Sequence, residues 1–372
     1  AQGVYTMLVL TECKRALAQP GIQGLGDVVQ NALGTVGRRV ADVFVFIVQG
    51  GVCCCFVDLV AGFALEELRG LGQNLVMPLV ALLFGAMALL REVKQLGGLN
   101  KLGSVAMMIT VVGGTAAGCR RLAKLGSSGF AAAALPVRPV ADSVMLAASI
   151  FFSFEGLGIV LPVEKEMKNP EAFPRIVVLA SAFLVATFLS ITFTCGIAFR
   201  GEVEGSIIAF LASQTTGVEK VFMHFASVLV AISVVVTFPL QLLPASQILA
   251  HWISRVKGLL GLGSASDKQA AGHGGRRRVP MWAVQRLVLV AGCIGASVAV
   301  HNVALLVSLF GAVGQTGLGL LAPLCHIVLM RRGVLPWSAL RATTDCSVVA
   351  FCLVIMFSGT YMAVSDIIAA FG

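Results

Sequence analysis

The sequence predicts an all-α polytopic membrane protein, and three observations carry that expectation. Only 12% of the 372 residues are charged against 58% that are hydrophobic, where a soluble domain carries about 25% charged residues, and the mean hydropathy is +0.93. Runs of about 20 apolar residues, the length that crosses a hydrocarbon core as a helix, recur along the whole chain. The runs are long and uniform, whereas a membrane barrel shows short segments of alternating polarity.

Ten segments are expected to span. In chain order they are Ala1–Leu17, which is short, then Val40–Leu65, Asn74–Leu90, Leu102–Gly118, Val140–Val163, Pro174–Phe199, Val218–Trp252, Trp282–Val300, Asn302–Met330 and Cys346–Phe371. Together they form a single transmembrane domain over residues 1–372, interrupted by a flexible cytoplasmic loop at about 255–281. That loop contains "GLGSASDKQAAGHGGRRRVP", Gly261 to Pro280, rich in Gly, Ser and Ala. Arg276, Arg277 and Arg278 at its end read as a topology anchor. Counted over alternating loops, the 27 basic residues split 20 to 7, and the rich side is expected to be cytoplasmic. Both ends of this chain then lie on the far side. The net charge of +9 is thereby assigned to loops at a membrane surface and not to nucleic acid.

The stretch "FFSFEGLGIVLPVEKEMKNPEAFP", Phe151 to Pro174, breaks the apolar pattern. Glu155 lies about fifteen residues into the Val140–Val163 segment, too deep to reach water easily, and a lipid-facing carboxylate there costs a few kcal/mol. Gly156 and Gly158 loosen the helix beside it and Pro162 removes a backbone donor. Non-helical backbone at such depth is tolerated where it is buried in protein or lines a water-filled cavity. In secondary transporters, discontinuous helices of this kind form the midplane site for substrate and coupling ion. Glu155 is therefore expected to be functional.

Other polar features read more plainly. Asp58, in "GGVCCCFVDLVAG", lies nearer the outer end of its helix and is equally compatible with simple contact to water. Asp142 and Asp345 stand at expected helix beginnings, where an acid favours the dipole and needs no further role. His224, His301 and His326 fall near helix ends and read as interfacial or packed histidines. In "VVVTFPLQLLPAS", Pro239 and Pro244 are expected to interrupt a long helix, with Ser233 and Thr237 before them able to bind a cation or a backbone carbonyl. "GQTGLG", Gly314 to Gly319, lacks the preceding strand of a nucleotide loop and is expected to permit close helix packing. The ten cysteines show no metal spacing, so no metal site is expected and they read as small packing residues. No soluble-enzyme constellation is present, so no enzyme activity is expected.

"FSFEGLGIVLPVEKEMKNPEAFP" resembles the broken sixth helix and following loop of the amino acid/auxin permease family, in its proton-coupled amino acid transporter branch. Ser153, Phe154, Glu155, Gly156, Leu161, Pro162 and Glu164 match that pattern, and Lys165 replaces an asparagine. "TFPLQLLPASQIL" is similar to the eighth helix, "ALLVSLFGAVGQTGLGLLAPLCHIVL" to the tenth and "GTYMAVSDII" to the last. "IVQGGVCCCF" resembles the third, with Gln49 and Gly51 fitting and Phe56 in place of a tyrosine. "YTMLVLTECKRAL" resembles the second, with Tyr5 where animal proton-coupled members carry a histidine.

The resemblance implies an inverted five-plus-five repeat of the leucine-transporter fold with eleven helices. The ten found would be the second to eleventh, and the first, which carries the other half of the site, is expected to be missing from this chain, leaving it inert alone. It implies a secondary carrier of small neutral amino acids, with no cofactor beyond H+ or Na+ as coupling ion, in the plasma membrane or a vacuolar or lysosomal membrane. Ser153, Phe154, Glu155, Gly156, Gly158, Gln49 and Phe56 would serve substrate, and Glu155, Ser233 and Thr237 the ion. An amino-acid sensor of the same fold and an inactive truncated product are the alternatives.

Overall fold

In hydrocarbon an unpartnered backbone polar group costs several kcal/mol, so each apolar run closes its own hydrogen bonds as a helix. The computed structural model describes residues 2–18, 22, 24–67, 73–90, 97–131, 140–154, 156–199, 207–259, 280–300 and 302–371. Among these the regular structure is helical throughout. In chain order the helices are α1 (Gln2–Leu17), α2 (Leu25–Glu67), α3 (Gln73–Ala88), α4 (Gly97–Ala131), α5 (Val140–Ser153), α6 (Val160–Glu166), α7 (Phe173–Phe199), α8 (Ile207–Gln214), α9 (Val218–Leu259), α10 (Met281–Ala299), α11 (Val303–Phe310), α12 (Thr316–Arg331) and α13 (Ala339–Phe371).

Each of the ten expected spans falls on one or two of these helices. Among the described residues, seven helical stretches are long and apolar enough to cross a membrane, and Leu75–Ala88 and Asp142–Ser153 are shorter apolar helices. Four boundaries differ from expectation, each for a local reason. First, helix begins at Leu25, well before Val40, because Asp27 Oδ2 accepts from the Gly24 N–H at 3.1 Å and starts a turn. Gly34, at φ 78° and ψ −169°, kinks α2 in a conformation that favours glycine. Second, α13 starts at Ala339, so Asp345 sits more than a full turn inside it and not at its beginning. Third, α9 is continuous through Pro239 and Pro244. Each proline removes one N–H but keeps a φ compatible with helix, and the Thr237 hydroxyl donates to the Ser233 carbonyl at 2.7 Å within the same stretch. Fourth, α9 carries the chain to Leu259 and α10 resumes at Met281, so the ends of the expected 255–281 loop are helical; Gly261 to Val279 lie outside the described residues.

The chain divides into two compact units. The first comprises Ala1–Val48, Met107–Ser227 and Asn302–Gly372. Its core gathers Leu10 and Cys13 of α1, Val28 and Val29 of α2, Leu161 of α6, Leu318, Leu321 and Leu329 of α12 and Cys352 of α13. Glycines bring backbones into contact here. A Cβ on Gly311 would lie 2.1 Å from the Ala148 carbonyl oxygen of α5, and one on Gly317 would lie 2.5 Å from Phe44. Gly314 is packed on Val48 in the same way, at 2.6 Å. The close-packing role expected for "GQTGLG" is what these contacts describe. Gly311 to Gln315 form a π-turn between α11 and α12, an irregularity frequent at functional sites.

Ion pairs and hydrogen bonds tie elements of the first unit together: Lys14 and Arg15 reach Glu164, Arg15 reaches Pro170, and Arg332 donates to the Asn31 carbonyl at 2.9 Å. Arg120 of α4 pairs with Glu219 of α9.

The second unit comprises Gln49–Ala106 and Val228–His301. Phe84 of α3 and Phe238 of α9, both fully buried, meet edge to face with centroids 4.6 Å apart. Arg286 of α10 caps the end of α3, donating to the carbonyls of Ala88 at 3.0 Å and Leu90 at 2.9 Å.

Candidate functional site

Glycine and a polar side chain next to one another stop a helix where the pattern of apolar residues would continue it. The expected Val140–Val163 span is accordingly two helices. α5 ends at Ser153, whose hydroxyl turns back to the Ser149 carbonyl at 2.9 Å. The Phe154 N–H divides between the carbonyls of Ile150 and Phe151 at 3.2 and 3.3 Å, the geometry of an unravelling terminus. α6 begins at Val160, and the N–H groups of Ile159 and Val160 both converge on the Gly156 carbonyl at 3.0 Å. Glu155 lies outside the described residues. Gly156 and Leu157 are buried, and Gly158 is half-buried.

α1 lies against this break. A Cβ on Gly156 would approach the Met7 terminal methyl to 3.0 Å, and one on Gly3 would sit 3.6 Å from Phe154. Phe154 is supported on its other side by Phe188 of α7, edge to face at 5.9 Å. Beyond the break, Glu164 is buried with 4% of its side chain exposed. It is held by Lys14 Nζ at 3.0 Å and by Arg15, whose Nε and Nη2 donate to the same oxygen at 3.1 and 2.9 Å. Arg15 Nη2 also donates to the Pro170 carbonyl at 2.8 Å. One buried carboxylate thus fixes the helix after the break to α1 through two cations.

The remaining expected site residues belong to the second unit. Gln49 is buried with 2% exposed, and Phe56 is partly buried. Ser233 is buried, and its hydroxyl lies against Gly103 of α4, where a Cβ would approach it to 2.6 Å. Thr237 commits its proton to the Ser233 carbonyl. Asp58, half-buried, accepts from the buried Ser297 hydroxyl at 2.8 Å. Within the first unit, then, the structure brings Ser153, Phe154, Gly156 and Gly158 to one break; Gln49, Phe56, Ser233 and Thr237 sit in the other unit. No group of three His, Cys, Asp or Glu among the described residues could hold a metal ion.

Broken helices of this kind occur in secondary transporters, and the comparison with known proteins decides the family. Residues 2–365 match the family described as "Transmembrane amino acid transporter protein". This chain belongs to that family. Amino acid transporter AVT3A of Arabidopsis thaliana is 24% identical over 382 aligned positions, which cover 98% of this chain and 80% of the relative. Amino acid transporter AVT3C of the same plant is 28% identical over 58% of this chain and 42% of its own length. Vacuolar amino acid transporter 4 of Saccharomyces cerevisiae is 34% identical over 27% of this chain and only 13% of its own. The aligned regions thus span less than half of the yeast protein and of AVT3C. As a member of the transmembrane amino acid transporter family, the protein is an integral membrane protein.

One polar cluster in this family member was missed by the sequence. Asp345, read as a helix-start acid, is fully buried and bonded on both oxygens: the Tyr5 hydroxyl donates to Oδ1 at 2.6 Å and His326 Nδ1 lies 2.6 Å from Oδ2. Glu12 Oε1 accepts from Arg341 Nη1 at 2.5 Å beside it. The error came from the helix start: beginning the helix at Cys346 left Asp345 outside, whereas helix from Ala339 turns it inward. The available signal was the i, i+4 spacing of Arg341 and Asp345 in a run whose first turn lacks the usual apolar density.

Proposed function

We propose that this chain is a secondary active carrier of small neutral amino acids, driven by protons or sodium and working by alternating access on a leucine-transporter-like inverted repeat. The observation that supports this most is the interruption between Ser153 and Val160. A helix opened at depth offers free N–H groups to an anionic carboxylate and free carbonyls to a cation, which are the two ends of a zwitterionic amino acid and its co-ion. Small neutral side chains fit because glycines line the interruption and Phe154 borders it. Family membership supports amino acids as substrates, and the name of the yeast relative supports a vacuolar membrane.

In this reading Ser153, Phe154, Gly156 and Gly158 serve the substrate together with the Glu155 carboxylate, which also serves the ion. Gln49 and Phe56 are assigned to substrate and Ser233 and Thr237 to the ion, each on its own substitution. The clamp on Glu164 holds the helix after the break while the site changes access. The test is uptake of radiolabelled amino acids by the full-length gene product in proteoliposomes, across a substrate panel and under separate proton and sodium gradients. Accumulation of small neutral amino acids under one of the gradients is expected. A folded, inserted protein that accumulates none of the panel under either gradient overturns the proposal.

A further inference from the structure

His326 on α12 has 1% of its side chain exposed and stands between two carboxylates. Nδ1 is 2.6 Å from Asp345 Oδ2, and Nε2 is 4.0 Å from Glu12 Oε2. An ionised carboxylate only accepts, so the hydrogen of the short contact lies on Nδ1 and the neutral ring presents a lone pair at Nε2. That atom is buried and has no hydrogen-bond partner, and the group it faces is another acceptor. A buried lone pair aimed at a carboxylate is a costly arrangement. A proton on Nε2 turns it into a charge-assisted donor.

The charges agree. Asp345 and Glu12 bring two negative charges and Arg341 one positive, so the neutral ring leaves the cluster one charge negative and the imidazolium brings it to balance. None of the other groups on these helices donates to Nε2. On α1, Lys14 and Arg15 are spent on Glu164, Tyr5 donates its proton to Asp345, and Cys13 is a buried thiol. On α12, Cys325 is a buried thiol and Arg332, just beyond the helix end, donates to the Asn31 carbonyl. Imidazole nitrogen facing one carboxylate is also a poor nest for sodium, which takes several oxygens as hard cations do.

We propose that His326 Nε2 is a proton-binding site, and that the imidazolium bridges Asp345 to Glu12 and so ties α1 to α12 and α13. The proton comes from water, which is left as the conjugate base, and it enters past Glu12, whose side chain is 39% exposed. Asp345 orients the ring through its contact with Nδ1. None of its residues belongs to the break at Ser153–Gly158. The binding of the proton rests on the hydrogen-bond geometry alone; its use in moving substrate rests on the carrier reading above.

The experiment uses full-length protein in lipid nanodiscs with every histidine other than His326 replaced by glutamine, His224, His251, His273 and His301 among them, and with His326 labelled with 15N. Over a pH series its two nitrogen signals are expected to show a neutral Nδ1–H ring that gains its second proton at Nε2. In Glu12→Gln, a change at a partly exposed position, the imidazolium fraction at the wild-type midpoint is expected to fall about threefold. A ring that stays neutral over the series, or one that titrates identically in Glu12→Gln, overturns the proposal. Uptake measured in the same preparation separates the two readings: a titrating ring without uptake overturns the carrier and leaves the proton site standing.

Discussion

Lys14 Nζ stands 3.0 Å from Glu164 Oε2, so two residues 150 positions apart join α1 to the short helix that follows the break. Arg15 completes the pair on the other oxygen. Breaking a buried ion pair by removing one partner costs about 3–5 kcal/mol. Here the cations are 20% and 44% exposed and can turn toward water, so Glu164→Gln is expected to cost about 2 kcal/mol, below that range. The check is the thermal unfolding midpoint of the purified protein, which should drop by several degrees. A double change of Glu164→Gln with Lys14→Met should cost less than the two changes added. Additive losses would mean that the two groups do not interact.

Two glycine-to-alanine changes should act in opposite directions. Gly311→Ala places a methyl 2.1 Å from the Ala148 carbonyl oxygen, a backbone atom that cannot step aside. Overpacking of this kind costs about 1–3 kcal/mol, and this contact belongs at the upper end. Gly292 lies inside α10 with nothing within 4 Å of its would-be Cβ. There alanine should be neutral or stabilise by up to about 1 kcal/mol, since glycine is a poor helix former. Thermal unfolding of both variants checks the pair; equal effects would mean that the α5 contact at Gly311 is not tight.

The same contrast explains what the sequence made legible. Apolar run length gave every spanning segment a helix, because a backbone in lipid has few alternatives, and the crowding of Glu155, Gly156 and Gly158 located the break between Ser153 and Val160. The proline rule misled at Pro239 and Pro244, where the neighbouring helical turns keep α9 intact around two missing donors. What stayed hidden were pairings between distant residues. Nothing near Glu164 in sequence announces Lys14, and Tyr5, His326 and Asp345 become one cluster only through packing of α1, α12 and α13. A helix start misplaced by seven residues was enough to turn the buried Asp345 into a dipole ornament.

Arg286 should matter to α3 more than to its own helix. Its Nη1 donates to the carbonyls of Ala88 and Leu90, and its guanidinium lies 5.3 Å from the Trp282 ring. Hydrogen bonds from charged donors contribute about 1.5–3 kcal/mol. Arg286→Gln is therefore expected to lower stability by about 2 kcal/mol and to raise amide exchange selectively at the C-terminal turn of α3. Exchange that rises only within α10 would refute the capping role.

Transport should respond sharply to bulk at Gly156. The residue is buried, and a Cβ there meets the Met7 methyl at 3.0 Å, the flexible end of a side chain. Alanine can push that methyl aside, so Gly156→Ala should retain most uptake. Valine adds two branches that the same pocket cannot take, and it stiffens a segment whose use depends on loose backbone. In the carrier proposed above, Gly156→Val should cut uptake at least tenfold, about 1.4 kcal/mol on the transport barrier, with membrane insertion unchanged. Shortening the neighbour separates the two causes. If the loss comes from contact with α1, Gly156→Val combined with Met7→Ala should recover part of the uptake, because the space that valine needs is the space that Met7 vacates. If the loss comes from a stiffened backbone, the double change should be as inactive as the single one. Wild-type uptake by Gly156→Val alone would remove the break from the transport path altogether, since a site built on that backbone has no other room for the added branches.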